Sequence, residues 1–208
     1  MAMFVREQRS YTIKTVDENF SWNDIEKAPI DIFCWTYNYK PKTFAQLVFI
    51  EGKEIRAKLT CYETDPETRC DTFGQDVWKD SCLEFFAAFN PETPDIYVNC
   101  EMNSAGAALM ALGNNDVENR VSADKILGHI PYFAGEVFED HWCAEVRLTV
   151  EDIKTLFGVE IKRGFKFKGN FFKCGDETKF EHYGMWCRSV AVIPQFHRPQ
   201  YFGDLVID

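Results

Sequence analysis

Nowhere does the sequence run to the ~20 consecutive apolar residues that a membrane-spanning helix requires, so no membrane partner is expected. The stretch from Met1 to Ser10 carries Arg6, Glu7, Gln8 and Arg9 and lacks the apolar segment of a secretory signal. The expected compartment is the cytoplasm, or the extracellular space for a chain whose leader has been removed. Positive charge is scarce: 23 Lys plus Arg against 33 Asp plus Glu leave a formal net charge of −10. Such a chain repels phosphate backbones, which argues against nucleic acid as a partner. The eight cysteines (Cys34, Cys61, Cys70, Cys82, Cys100, Cys143, Cys174 and Cys187) form no Cys-x-x-Cys pair, which removes the usual zinc knuckle and redox motif. Most sit in apolar runs and read as reduced core residues rather than a disulfide framework. His129, His141, His182 and His197 are scattered without metal-ligand spacing. Ser–His motifs, Gly-rich phosphate loops, His-Glu-x-x-His and dense Asp loops of the EF-hand kind are all missing. So are internal repeats, Ser/Gly linkers and composition breaks, and one domain over residues 1–208, with its core from about residue 20, is expected.

Aromatic residues are abundant: 19 Phe, 8 Tyr and 5 Trp in 208 residues. A chain of this length buries about 70% of its unfolded surface, enough for a core without disulfides or metal. Period-two alternation dominates. Thr43 to Glu63 reads as two strands around a turn at Glu51-Gly52. From Ser81, Leu83, Phe85, Ala87 and Phe89 alternate with Cys82, Glu84, Phe86 and Ala88. Asn90-Pro91 ends that strand. In the next, Ile96, Val98, Cys100 and Met102 form an apolar face opposite Tyr97, Asn99, Glu101 and Asn103. Further strands follow at Trp142 to Thr149, Phe165 to Phe172 and Gly203 to Asp208. A single helix stands out: Thr149 caps it, Asp152 takes the third position, Ile153, Leu156 and Phe157 share a face, and Gly158 stops it. The pattern predicts an all-β fold, a two-sheet antiparallel β-sandwich of jelly-roll type with one short helix, a lipocalin-like barrel being the alternative. Several strands should keep a solvated polar face.

Three constellations carry chemistry. In the first, Trp78 lies in a polar loop just before the strand that bears Glu84. Ordinarily such a pair is a core ring and a solvated or arginine-paired carboxylate. Read functionally, an indole face packs on sugar C–H groups while the carboxylate accepts from vicinal hydroxyls. In the second, Asn99, Glu101 and Asn103 project at ~7 Å intervals on one face, and Gly106 with the small residues Ala105 to Ala108 permits close backbone approach. In the third, Trp186 stands beside Gly184, followed by a proline-bracketed loop with Gln195, Phe196, His197, Arg198, Gln200 and Tyr201. The plain alternative there is a C-terminal arm whose aromatics plug the fold.

Taken in order, Trp78-x-Asp80-x-x-x-Glu84, Tyr97-x-Asn99-x-Glu101-x-Asn103-x-x-Gly106, Trp142 to Val146, Gly169 to Phe172, Trp186 and His197-x-Pro199-x-x-x-Gly203-x-Leu205 resemble the family 9 carbohydrate-binding modules, within the DOMON-like β-sandwich superfamily. The resemblance runs from about residue 20 to residue 208. It implies non-catalytic binding of a mono- or oligosaccharide, in the setting of xylan- or cellulose-type polysaccharide use, with a sugar held between two tryptophans. Trp78 and Trp186 match the clamp and Glu84 the hydroxyl-binding glutamate. Members often carry an arginine on the next strand; here that region reads Glu101-Met102-Asn103, and the hydrogen-bonding role falls to Asn103. His197 completes the expected ligand-binding set. No cofactor is required and no catalytic residue is assigned, while structural calcium, bound by xylanase-linked members, stays open. Two other functions compete. A glycoside-active enzyme would pair carboxylates from Glu84, Glu101 and Glu145, and a haem-binding DOMON-type domain would ligate iron through Met185 and His182 or His197.

Overall fold

Alternation of apolar and polar side chains builds strands almost wherever the sequence announces them. The computed structural model of the protein describes residues 8–36 and 38–208. Its first strands are β1 (Ser10–Val16), β2 (Ala28–Pro29), β3 (Thr43–Ile50) and β4 (Glu54–Cys61). Gly52, at φ +70, makes the β3–β4 turn in a backbone region that side chains disfavour. Next come β5 (Cys82–Ala88), β6 (Tyr97–Asn103), β7 (Ala108–Gly113) and β8 (Val121–Ser122). The chain continues with β9 (Tyr132–Val137), β10 (Trp142–Thr149), β11 (Lys166–Gly175), β12 (His182–Met185) and β13 (Gly203–Ile207).

Two α-helices are present where the sequence suggested one. The expected one is α2 (Val150–Phe157), opened by a reciprocal Thr149–Asp152 capping box and closed by left-handed Gly158. The other, α1 (Ala123–Leu127), is a single turn ended by Gly128. Five residues are too few to display an apolar period, which is why it escapes a pattern-based reading.

The strands hydrogen-bond in the order β8-β7-β6-β5-β11-β13-β1-β3-β4-β10-β9, with β12 on β11 and β2 on β3. Pairing is antiparallel except at β1. Its first half runs parallel to β13 (Ser10 opposite Asp204) and its second half parallel to β3 (Lys14 opposite Val48). No hairpin links these strands, so nothing in the chain forces them antiparallel. The result is a mostly-β protein in which one curled sheet folds its two arms over a common core. Leu47, Leu59 and Trp142 from one arm meet Phe85, Val98, Phe171 and Leu205 from the other. The small-residue run also behaves as its composition suggests. A Cβ on Gly106 (φ +83) would come 3.0 Å from the Gly135 backbone nitrogen, so the β6–β7 turn seats directly on β9.

One expectation fails instructively. The Tyr97–Asn99–Glu101–Asn103 face of β6 is not solvated: the four are between 0% and 4% exposed. A second apolar cluster covers that side of the sheet, formed by Val77, Phe86, Tyr97, Phe172, Met185, Phe196 and Phe202 among others. Much of it arrives from residues 183 to 202, a sequence distance that strand alternation does not report.

Under the other face lies a buried charge. Lys173 is fully buried, with its Nζ 2.6 Å from His182 Nε2, 2.9 Å from the Cys174 carbonyl oxygen and 3.5 Å from Glu63 Oε2. Glu63 also accepts hydrogen bonds from Tyr39 Oη (2.8 Å) and Trp142 Nε1 (3.0 Å).

Candidate functional site

On the covered face, the second apolar cluster stops short of closing the sheet and leaves a cavity of about 520 Å³. Sites for small molecules typically occupy roughly 300–1,000 Å³. Its floor is set by strand register. Glu84 of β5 stands directly opposite Glu101 of β6, and both are buried, at 2% and 4% exposed. Cys174 of β11 adds its thiol, donating to Glu84 Oε1 at 2.9 Å. Trp78 forms one wall from the 3₁₀ turn Val77–Lys79, partly exposed, with Lys79 Nζ 5.1 Å from its ring centre. Tyr183, Phe196 and His197 supply other walls from the C-terminal third.

Two buried carboxyl groups side by side resist ionisation. Burial first, and Glu101 second, push Glu84 well above the usual carboxylate range. Burial likewise raises Glu101 to about 7, against the opposing hydrogen bond from Asn99 and the charge of Arg120. Glu101 Oε1 accepts from Asn99 Nδ2 at 2.7 Å, whereas its Oε2 is buried with no partner. An orphaned carboxyl oxygen on a cavity floor is costly until something in the cavity bonds to it. Because the folded-state value lies above the ordinary one near 4.5, stability is lost as pH rises from about 4.5 through about 7. Glu101→Gln keeps the Asn99 contact and removes the titration. Urea melts should therefore show this variant gaining on wild type as pH rises across that window, by on the order of 3 kcal/mol. An unchanged difference between pH 4.5 and 8 would remove the carboxyl pair from this account.

Of the five residues expected to bind ligand, Trp78, Glu84 and His197 surround the cavity, and Asn103 and Trp186 do not. His197 shares a 2.7 Å hydrogen bond with Tyr97 Oη through Nδ1. Burial, reinforced by the charge of Arg120, lowers it to about 4, so it is neutral at physiological pH. Asn103 is wholly buried. It donates to Cys70 O (2.8 Å) and Asp80 Oδ2 (3.0 Å) and accepts from the backbone nitrogens of Ala105 and Ala107. Those bonds tie the β6–β7 turn to the loop that carries Trp78, so Asn103 positions the site without facing it. Trp186 is 2% exposed and packs against Phe171, ring centres 5.2 Å apart, while its edge fills the space a Gly203 Cβ would occupy. The reason is alternation: Met185 at the end of β12 points into the cavity-side cluster, and Trp186 therefore turns to the opposite, core side.

An arginine that the sequence pattern does not single out also lines the cavity. Arg120, between a 3₁₀ turn and β8, stacks 4.1 Å from the Tyr97 ring centre and donates to Asn99 Oδ1 (2.7 Å) and to the carbonyls of Tyr97, Ala111 and Asn114. Nothing local marks it; only its partners, all on β6, β7 or the adjoining turn, bring it to the cavity. Asp176 also lines the cavity, and burial raises it to about 6.

Other expected ligands are committed. His182 engages Lys173 through Nε2 and the Phe180 carbonyl through Nδ1, and Met185 sulfur accepts from Ser189 N at 3.1 Å, an arrangement that does not suit haem iron. Glu145 pairs with Arg147 on the far arm. A tight donor set among the described residues, Cys82, Glu84 and Cys174, offers two sulfurs and does not fit calcium, which takes six to eight oxygens.

Comparison with known proteins agrees with this architecture. A candidate carbohydrate-binding protein from Bacteroides uniformis is 29% identical, with a TM-score of 0.79 over 97% of this chain and 100% of that one. Two structures of a family 9 carbohydrate-binding module from Caldicellulosiruptor kristjanssonii share the fold at 11% identity. The glucose complex gives a TM-score of 0.62 over 96% of each chain, and the cellotriose complex 0.61 over 96% of this chain and 93% of that one. No curated protein matches significantly. The model of carbohydrate-binding family 9 matches residues 14–207, and the chain belongs to that family.

Proposed function

We propose that the cavity binds a sugar unit without chemical change, with the indole of Trp78 packed on the pyranose and Glu84 and Glu101 accepting or donating hydrogen bonds to its hydroxyls. In this reading Tyr183 and Phe196 furnish the aromatic wall that Trp186 was expected to provide, and the two arms of the sheet act as the layers of a jelly-roll-like sandwich. The observation that carries it is the unpartnered Glu101 Oε2 on the floor of a cavity walled by a partly exposed tryptophan. A protonated carboxyl both donates and accepts, which suits a hydroxyl that does the same. Glu84 and Glu101 are cross-strand neighbours, so they address one face of a ring. Glycosidic cleavage needs its carboxyl groups on either side of the scissile bond, which favours holding over cutting. Relatives of this fold were captured with glucose and with cellotriose, and those are the ligands to try first.

Calorimetric titration with glucose and cellotriose tests the reading. Wild type is expected to bind, and Trp78→Ala to bind about tenfold to a hundredfold more weakly while melting as wild type does. Equal affinity in both proteins would sink the assignment of Trp78, and no binding of either sugar to wild type would sink the glucosyl reading itself.

A further inference from the structure

We propose that Cys82, Glu84 and Cys174 form a site for a thiophilic divalent cation such as Zn²⁺ at the inner end of the cavity. The sheet register assembles it: Cys82 and Cys174 are directly paired across β5 and β11, and Glu84 follows Cys82 on the same strand face. One donor atom from each lies within 4.8 Å of the others, and all three residues are at most 2% exposed. A tetrahedral zinc ion with Zn–S near 2.3 Å and Zn–O near 2.0 Å holds its ligands roughly 3.5–3.8 Å apart. The trio reaches that spacing by shifts of about 1 Å, within the range of side-chain rotation. Two sulfurs and one carboxylate select a borderline-soft ion over calcium or magnesium.

The route in is already open, since Glu84 and Cys174 line the cavity while Cys82 stands behind them. Without metal, the Cys174 thiol spends its proton on Glu84 Oε1. Binding balances as one M²⁺ taken up and three protons released, one from each thiol and one from the carboxyl. The bound set then carries a net charge of −1. The fourth position would be left to water or solute from the cavity, which Asp176 also lines.

The site needs no sugar, so its test is separate from that of the binding function. Titrating the reduced 208-residue chain with Cd²⁺ or Co²⁺ should raise a thiolate-to-metal charge-transfer band saturating at one equivalent. The band should vanish in the Cys82→Ser/Cys174→Ser protein and persist in Cys143→Ser. If the double variant does not fold, X-ray absorption on zinc-loaded wild type decides, with two sulfurs expected near 2.3 Å. A zinc shell of only nitrogen and oxygen, absence of the band in wild type, or a band that survives in a folded double variant would each overturn the proposal.

Discussion

Trp186→Ala is expected to destabilise the protein by about 3–5 kcal/mol, the range for removing a buried aromatic ring. The indole lies against Phe171 and the Gly203 backbone within the main core, at 2% exposure. Chemical denaturation of Trp186→Ala beside Trp78→Ala separates the two tryptophans that the sequence treats as a pair. Trp78 sits at a cavity wall and its loss should touch ligand affinity with little change in stability. For Trp186 the reverse should hold: lower stability, with sugar affinity retained in whatever fraction remains folded. A Trp186→Ala protein as stable as wild type, yet unable to bind sugar, would restore the two-tryptophan clamp.

Glu63→Ala should rival that loss, at about 3–5 kcal/mol, because it strands the Lys173 ammonium inside the protein with neutral partners only. Replacing both members, as Lys173→Met with Glu63→Gln, removes the buried charge along with its counter-charge and should recover most of the stability. The pH dependence has a definite sign. Burial pushes Glu63 up, but Lys173 and the hydrogen bonds from Tyr39 and Trp142 outweigh it and hold the carboxyl below its ordinary value. A carboxylate depressed by folding stabilises above its unfolded value near 4.5, and that contribution is lost as pH falls through the folded value. The gap between wild type and Glu63→Ala should therefore be widest at neutral pH and close in acid. His182, lowered to about 4 chiefly by burial and next by Lys173, erodes stability as pH falls from 6.5. Urea melts carried from pH 8 down to pH 3 measure both, and a gap between wild type and Glu63→Ala that stays constant below pH 4.5 would remove the depressed Glu63 carboxylate from this account.

These contrasts trace how far local pattern reaches. The turn at Gly52, the Thr149–Asp152 cap and the alternation along β5 and β10 are legible because each depends on residues within a few positions of one another. So is the placement of Trp78 and Glu84 at one site, since a short turn leads straight into a strand whose faces alternate. Arg120 is not legible: its partners Asn99, Tyr97 and Ala111 are contiguous with it only after β6, β7 and the following turn have paired. Nor is the burial of Asn99 and Glu101, which alternation alone leaves pointing at water until Phe196 and Phe202 arrive from the far end of the chain.

By itself the sequence determined strands β3 to β6, β10, β11 and β13, the main helix, the acidic character and the family, all properties carried by short-range spacing and composition. Strands β1, β2, β7, β8, β9 and β12 came only with the tertiary structure. The tertiary structure alone decided which polar face became a cavity and which tryptophan became core, because a side chain's surroundings depend on what packs across from it. One residue of register at the end of β12 turned Trp186 inward, and a pairing across two strands set Glu84 beside Glu101.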